Sequence, residues 1–199
     1  AGPKIKVRGN ELLIVYMDHR SGLTNIYLNY SIDNGHSWSA DILVSDQSYL
    51  QAYPDFEVAP NGIIHLIYYS YNQNNSFNSI RYSIAQLGSL DFSSSDPVGI
   101  ANNSQEPCDC CQSDLEISTD GDIYLAYRNN LDDIRDIYIA TKPDGSDGFN
   151  EPIRASFHND YNNHCPSSGP SMEIGNTMIA LSYRVSDAAT SYIDYSDIS

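Results

Sequence analysis

Apolar and polar residues alternate in the same way at four places along the chain. The four stretches centre on Ile5, Phe56, Leu115 and Met172, which are spaced 51, 59 and 57 residues apart. Alternation with a period of two predicts a β-strand whose two faces differ. Each stretch ends at an Asn or Gly turn, as expected for a hairpin. The chain therefore repeats one strand-and-turn unit four times.

A second strand follows each turn, and it places a tyrosine in the same register in all four copies (Tyr16, Tyr68, Tyr127 and Tyr183). A third strand begins at Ile26, Ile80, Ile137 and Tyr192. Because no segment combines a helical period with caps, the sequence predicts an all-β fold. Repeating units of about four short antiparallel strands are typical of the blades of a β-propeller.

We therefore predict a single β-propeller domain over 1–199. Its blades lie approximately at 1–48, 49–104, 105–160 and 161–199. The fourth copy ends before its last strand, so this blade is expected to be incomplete. An open ring leaves unpaired strand edges. We therefore expect either further residues beyond 199 or another chain that completes the ring.

The segment after the first third strand, Ser31-Ile-Asp33-Asn-Gly35-His-Ser-Trp38, matches the Asp box Ser-x-Asp-x-Gly-x-x-Trp. The motif favours a turn, because Asp accepts backbone N–H bonds and Gly permits a positive φ. We assign these residues a structural role. The motif resembles the BNR repeat of sialidase-like propellers. A Cys108-Asp-Cys110-Cys111 motif and the His164-Cys165 pair look like a bacterial subgroup described as exo-α-sialidase-like.

The resemblance implies a six-bladed ring with the Asp boxes on the face opposite the active site. If the protein is an enzyme, the resemblance implies a glycoside hydrolase of the exo-α-sialidase type. Strand order places the loops that enter each first strand on the same face as the loops between second and third strands. This loop-rich face is where a site is expected.

Three arginines, Arg20, Arg128 and Arg184, come from loops of that face. Clustered arginines hold a carboxylate bidentately, and sialidases use three of them in this way. Asp18 is a candidate general acid if burial raises its pKa. In the alternative interpretation, the arginines form salt bridges that order the loops, with Asp18, Asp132, Asp133, Asp136 and Asp187 as partners.

Aromatic and amide side chains on the same face suit sugar stacking and hydroxyl hydrogen bonds. The candidate substrate-binding residues are Tyr49, Gln51, Tyr53, Tyr71 and Asn129.

The four cysteines lie in equivalent loops of adjacent copies. Cys108 precedes Leu115 by seven residues and Cys165 precedes Met172 by seven. These equivalent positions favour a disulfide of Cys165 with Cys110 or Cys108, which would form in an oxidising compartment. The alternative is a soft-metal site for copper or zinc. Its candidate ligands are Cys108, Cys110, Cys111, His164 and Cys165.

The net charge of the chain excludes some classes of binding partner. With 26 Asp+Glu against 10 Lys+Arg, the chain carries a formal net charge of −16. It lacks the basic surface that nucleic acid or an anionic membrane requires, and no apolar run is long enough to span a membrane.

We predict a secreted, periplasmic or cell-surface protein that binds or acts on a carbohydrate or glycoprotein. The alternatives are a non-catalytic extracellular interaction or assembly module and a Cys/His metal-binding propeller.

Overall fold

A computed structural model describes residues 2–45, 49–71, 78–93, 96–98, 107–175 and 178–186 of the chain. The chain divides into two compact units, Ala1–Asp96 and Pro97–Ser199. Within the described residues every regular element is a β-strand.

The first unit contains a four-stranded sheet in the order β1-β2-β3-β4, in which every strand runs antiparallel to its neighbour. Its strands are β1 (Lys4–Arg8), β2 (Glu11–Asp18), β3 (Asn25–Ser31) and β4 (Ile42–Leu43). A second sheet has the order β5-β6-β7-β8 and ends at the boundary between the units. Its strands are β5 (Leu50–Val58), β6 (Ile63–Tyr71), β7 (Asn78–Gln86) and β8 (Asp96–Val98).

The second unit contains a third antiparallel sheet in the order β12-β11-β10-β9 and a hairpin of β13 and β14. The sheet consists of β9 (Asp114–Ile117), β10 (Ile123–Arg128), β11 (Ile137–Lys142) and β12 (Ile153–Arg154). The hairpin consists of β13 (Ser171–Ile174) and β14 (Ile179–Ser182). The third strand predicted for the fourth copy, at 192–195, lies outside the described residues.

The alternating apolar residues form the cores of the two units. In the first unit Leu13, Val15 and Leu28 of one sheet pack with Phe56 and Leu66 of the next. In the second unit the buried cluster joins β10 and β11 to the β13–β14 hairpin; it includes Ala126, Ile137, Ile139, Met172 and Leu181. Burial of one face of each strand therefore stacks neighbouring sheets within each unit.

The repeated tyrosine has the same role in two of the sheets. Tyr16 on β2 lies opposite Tyr27 on β3 with stacked rings 6.0 Å apart. Tyr127 on β10 lies opposite Tyr138 on β11 in the same arrangement, at 6.1 Å. Such cross-strand aromatic pairs stabilise a sheet by roughly 0.2–1 kcal/mol each. The register of the second and third strands is thus supported by the same contact in both units.

The Asp-box residues form a hydrogen-bonded turn directly after β3. The Asp33 carboxylate accepts hydrogen bonds from the Ser31 hydroxyl (2.8 Å) and from the backbone N–H and hydroxyl of Ser37 (2.8 and 2.7 Å). Gly35 has a φ of +83°, which favours glycine at this position. Trp38 lies beside Gly35 and keeps 39% of its surface exposed. The motif thus fixes the chain reversal between β3 and β4.

These hydrogen bonds, with the Ser37 hydroxyl contributing most, lower the pKa of Asp33 to about 2 from its usual 3.8. A carboxylate whose pKa is lower in the folded chain contributes stability above its unfolded pKa and loses it as pH falls through the folded value. We therefore predict that Asp33→Asn lowers the urea midpoint above about pH 4, and that the difference from wild type shrinks between pH 4 and pH 2.

Chemical denaturation at a series of pH values measures this difference. Asp147→Asn, at an exposed turn residue, is the matched control and should leave the midpoint unchanged across the range. A difference for Asp33→Asn that stays constant down to pH 2 would contradict the role given to the carboxylate.

Candidate functional site

Arg128, the last residue of β10, is the most enclosed charged residue among the described residues of the second unit, with 1% of its surface exposed. Its guanidinium donates to the main-chain carbonyls of Ser168 (2.9 Å), Arg135 (2.5 Å) and Arg184 (2.6 Å). It also pairs with the buried carboxylate of Asp160 at 3.2 Å. The three guanidinium nitrogens therefore all have partners within the protein.

These contacts argue against Arg128 as part of the predicted three-arginine site for a carboxylate. A sugar carboxylate in solution cannot reach donors that are buried and already bound to carbonyl groups. Arg184 is exposed, and its main-chain oxygen is what contacts Arg128. The structure therefore favours the alternative interpretation, in which Arg128 orders the loops. Its ionic partner is Asp160, whereas the sequence suggested Asp132, Asp133, Asp136 or Asp187.

Arg20 belongs to the first unit and turns towards the outer strands of its sheet. Its guanidinium pairs with Asp18 at 2.9 Å and with Asp41, and it lies 4.9 Å from the centre of the Tyr27 ring. The hydrogen bond from Arg20 lowers the pKa of Asp18 below its usual value. The condition set for a general acid at Asp18, a pKa raised by burial, is therefore not met, because the neighbouring Arg20 favours the ionised carboxylate. A general acid needs the opposite shift.

The four sugar-binding candidates of the first unit lie at one end of the β5–β6 pair. Tyr71 pairs with Leu50 in register, and a β-bulge follows at Ala52–Asp55. Tyr53 lies within this bulge with a φ of +52°, and its ring meets that of Tyr69 edge-on at 6.0 Å. Tyr49 is 40% exposed, whereas Gln51 is fully buried and donates to Ser70. Of these four side chains, Tyr49 is exposed, Tyr53 and Tyr71 are half-buried, and Gln51 is buried.

Asn129, the fifth candidate, directly follows Arg128. It is 1% exposed, and neither its amide nitrogen nor its amide oxygen has a hydrogen-bond partner among the described residues. Buried side-chain amides are nearly always paired, so such a group calls for an explanation. Asn129 lines a pocket of about 190 Å³ in the second unit. The polar and aromatic lining consists of Asn129, Asp132, Asp136, Tyr138, Arg154 and Asn159.

Backbone strain and charge both concentrate around this pocket. Asp132, Asp133 and Asn159 adopt positive φ values of +52°, +62° and +51°. Non-glycine residues in this region carry a conformational cost and cluster at functional sites. Asp136 is buried and bound by Arg154 and by the backbone N–H of Asn159 (3.1 Å). Asp132 is the exposed carboxylate of the pocket.

The sequence analysis missed Asn159 and Arg154 as pocket residues. Arg154 belongs to the short strand β12, and nothing in the repeat marks its neighbour Asn159 as special. The signal that was available is the run Arg-Asn-Asn-Leu-Asp-Asp at 128–133, whose Asn and Asp residues tolerate left-handed backbone.

Two of the four cysteines, Cys110 and Cys165, form a disulfide with their Cα atoms 6.2 Å apart. This is one of the two pairings that the sequence suggested. Cys108 and Cys111 are buried thiols. Cys108 Sγ accepts a hydrogen bond from Arg135 at 3.1 Å and lies 3.5 Å from Cys110 Sγ.

Two further contacts fix the segment that follows Cys165. Ser168 is bound by Arg128, as described above. At Gly169 a Cβ atom would lie 1.7 Å from the carbonyl oxygen of Gln112, so only glycine permits this close backbone approach. The disulfide therefore joins two segments that are also fixed by other means.

The residues present do not fit a resident copper or zinc ion in this state. The sulfur atoms of Cys108, Cys110 and Cys111 lie within 4.8 Å of one another, and His164, an exposed residue, is outside this group. A metal requires thiolate ligands, however, and Cys110 and Cys165 are bonded to each other. The metal interpretation of the five candidate ligands stays a prediction.

Comparison with solved structures identifies similar folds. A Hadza microbial sialidase (Hz136) aligns with a TM-score of 0.70 and 10% identity over 98% of this chain and 45% of its own. A Penicillium chrysogenum α-L-arabinanase complexed with arabinobiose aligns with a TM-score of 0.71 and 16% identity, over 97% and 60%. An endo-arabinase from Bacteroides thetaiotaomicron aligns at 0.63 and 10%, over 99% and 74%. No protein-family model and no curated protein sequence matches the chain.

These similarities confirm the predicted all-β fold: the chain is a β-propeller built from four-stranded antiparallel sheets, like these glycoside hydrolases. It spans about half the length of the sialidase and 60% of the fungal arabinanase. Among the described residues, no helix is long and apolar enough to cross a membrane.

The structural role of Arg128 is testable. Arg128→Met removes the donor for three carbonyls and the partner of buried Asp160, so we predict a loss of about 3–5 kcal/mol in the free energy of unfolding, which urea denaturation measures.

Arg8→Met is the matched control, because Arg8 is exposed and its guanidinium donates a solvent-exposed hydrogen bond to the carbonyl of Pro60. We expect it to change stability by less than about 0.5 kcal/mol. An Arg128→Met chain as stable as wild type would contradict the structural role and return Arg128 to the list of ligand-binding candidates.

Proposed function

We propose that this β-propeller binds carbohydrate in the pocket around Asn129. The observation that carries the proposal is the buried amide of Asn129, whose nitrogen and oxygen both lack partners among the described residues. Leaving such a polar group unpaired costs about 1–3 kcal/mol. An amide offers a donor and an acceptor side by side, which matches two neighbouring hydroxyl groups of a sugar. A sugar recovers this cost when the pocket opens enough to expose the two amide atoms, which have almost no exposed surface in this structure.

The dimensions of the pocket favour a small ligand. At about 190 Å³ it is smaller than the roughly 300–1,000 Å³ typical of drug-sized ligands, so it suits a single sugar unit. Tyr138 supplies an aromatic wall for the apolar face of the ring, and Asp132 supplies an exposed acceptor for a further hydroxyl. This combination of aromatic surface and hydroxyl partners is chemically suited to saccharides.

The charges around the pocket favour a neutral sugar over an anionic one. The two buried arginines nearby are engaged, since Arg128 binds carbonyls and Arg135 contacts Asn162 and Cys108. Arg154 is paired with Asp136, and Asp132 adds a negative charge at the rim. A sialic acid carboxylate would therefore meet no available guanidinium in this pocket. The arabinanase from Penicillium, complexed with arabinobiose, makes neutral pentose-containing glycans the first class to test.

Hydrolysis is the second candidate function, and it is supported by the similarity in fold to a sialidase and two arabinan-acting enzymes. Glycoside hydrolysis usually requires one carboxylic acid and one carboxylate on either side of the bond. Asp132 is the pocket carboxylate that is open to a substrate, whereas Asp136 is enclosed by hydrogen bonds. Binding without turnover, as in an extracellular interaction module, is therefore the primary proposal.

We also propose that the protein works outside the cytoplasm. The Cys110–Cys165 disulfide supports this compartment, because such bonds persist under oxidising conditions and are rare where thiols are kept reduced.

The binding proposal makes a paired prediction about Asn129→Ala. We expect arabino-oligosaccharide affinity to fall by about tenfold or more, which calorimetric titration measures, because the two amide hydrogen bonds are lost. Thermal stability should be unchanged or slightly raised, because the variant removes an unpaired buried amide. Asn150→Ala, at an exposed asparagine of the same unit, is the matched control and should change neither quantity.

The panel should also contain a sialyl-oligosaccharide and chromogenic arabinoside and sialoside substrates. Turnover lost in Asp132→Asn would favour the hydrolase. An Asn129→Ala chain that loses stability but keeps its affinity would overturn the site, as would wild-type protein that binds no member of the panel. Preference for the sialylated ligand would overturn the argument for a neutral sugar.

A further inference from the structure

The cysteine turn of the second unit places a thiol against a disulfide. The backbone N–H of Cys111 donates to the carbonyl of Cys108, which closes a tight turn over residues 108–111. Within this turn Cys108 Sγ lies 3.5 Å from Cys110 Sγ, and Cys110 is bonded to Cys165. Two sulfur atoms at this separation are in contact, so the thiol needs no large movement to reach the disulfide.

The surroundings of Cys108 favour its nucleophilic form. The guanidinium of Arg135 donates to Cys108 Sγ at 3.1 Å, and both side chains are buried. A buried guanidinium in contact with a sulfur atom favours the negatively charged thiolate over the neutral thiol. The thiolate is the species that attacks a disulfide.

The environment of Cys165 favours its sulfur atom as the leaving group of the exchange. Cys165 is exposed, and its sulfur lies 3.2 Å from the hydroxyl of Ser167, which can donate a hydrogen bond to a released thiolate. The segment does not depend on the disulfide for its position, because Ser168 is held by Arg128 and Gly169 lies against Gln112. Breaking the bond at Cys165 therefore leaves this segment in place.

We propose that Cys108 exchanges with the Cys110–Cys165 disulfide and exposes Cys165 as a thiol that reacts with external disulfides. In the first step the Cys108 thiolate attacks Cys110 Sγ, a Cys108–Cys110 bond forms, and the Cys110–Cys165 electron pair leaves on Cys165. No external oxidant or reductant is consumed. In the second step the Cys165 thiolate attacks a disulfide R–S–S–R, forms a mixed disulfide Cys165–S–S–R and releases one thiolate R–S⁻.

The turn makes the product disulfide sterically feasible. A disulfide needs Cα atoms roughly 4.4–6.8 Å apart, and residues two apart in a tight turn fall within this range. Cys111, which contacts Cys108 from within the same turn, is not part of the exchange. It acts as a hydrogen-bond donor to Cys108 and is a positioning residue.

The test uses the full 199-residue chain and the small aromatic disulfide 5,5′-dithiobis(2-nitrobenzoate) as the probe. At neutral pH, in the absence of denaturant, we expect the wild-type chain to release the coloured thiolate. Peptide mapping without reduction should then find the adduct on Cys165 and a disulfide between Cys108 and Cys110. In Cys108→Ser the rate of release should fall by at least about tenfold, because the attacking thiol is missing.

Asn150→Ala, at an exposed asparagine outside the cysteine turn, is the matched control, and its Cys165 should be labelled at the wild-type rate. Three results would overturn the proposal: an adduct on Cys108 or Cys111 with the Cys110–Cys165 bond intact, Cys165 labelling that persists in Cys108→Ser, or no adduct on the wild-type chain. Thermal melting checks that each variant is folded, and if Cys108→Ser does not fold, the wild-type peptide map decides the question by itself.

Discussion

The buried guanidinium of Arg128 is the interaction on which the described part of the second unit depends. Moving a charge out of water is costly unless carbonyl dipoles and an opposite charge replace the solvent. Arg128 meets this requirement with three main-chain carbonyls, of Ser168, Arg135 and Arg184, and with the carboxylate of Asp160. These groups come from four places along the chain, so one side chain fixes the relative position of several loops that contain no regular structure.

The two proposed sites share this framework. Asn129 follows Arg128 directly, its backbone N–H bonds to the carbonyl of Asp136, and the residue lines the pocket. Arg135, whose carbonyl accepts from Arg128, places its own guanidinium on Cys108. The pocket residue Asn129 and the thiol of Cys108 are therefore both positioned by the hydrogen bonds of Arg128 and Arg135. Their chemistry differs, since the pocket suits reversible binding and the thiol suits covalent exchange.

The net charge of −16 is distributed according to local geometry. Asp33 serves a turn, Asp18 and Asp41 hold Arg20 on the surface, and Asp160 neutralises a buried arginine. Few of these carboxylates are thus available to a ligand. The pocket around Asn129 is nearly balanced where Arg154 meets Asp136, and this local balance matters more for a sugar than the sign of the whole chain.

The sequence by itself determined the strands, their repetition and the propeller fold, because a period-two pattern with regularly placed turns is a local property that survives in any context. It also brought Cys165 close to Cys110, since equivalent loops of repeated units occupy equivalent places. The tertiary structure decided the roles of side chains. Whether Arg128 points to solvent or to carbonyls, whether Asp18 is ionised, and whether Asn129 has a partner all depend on burial and on neighbours from distant parts of the chain. Those neighbours leave no local pattern in the sequence, because long-range contacts among loops obey no period.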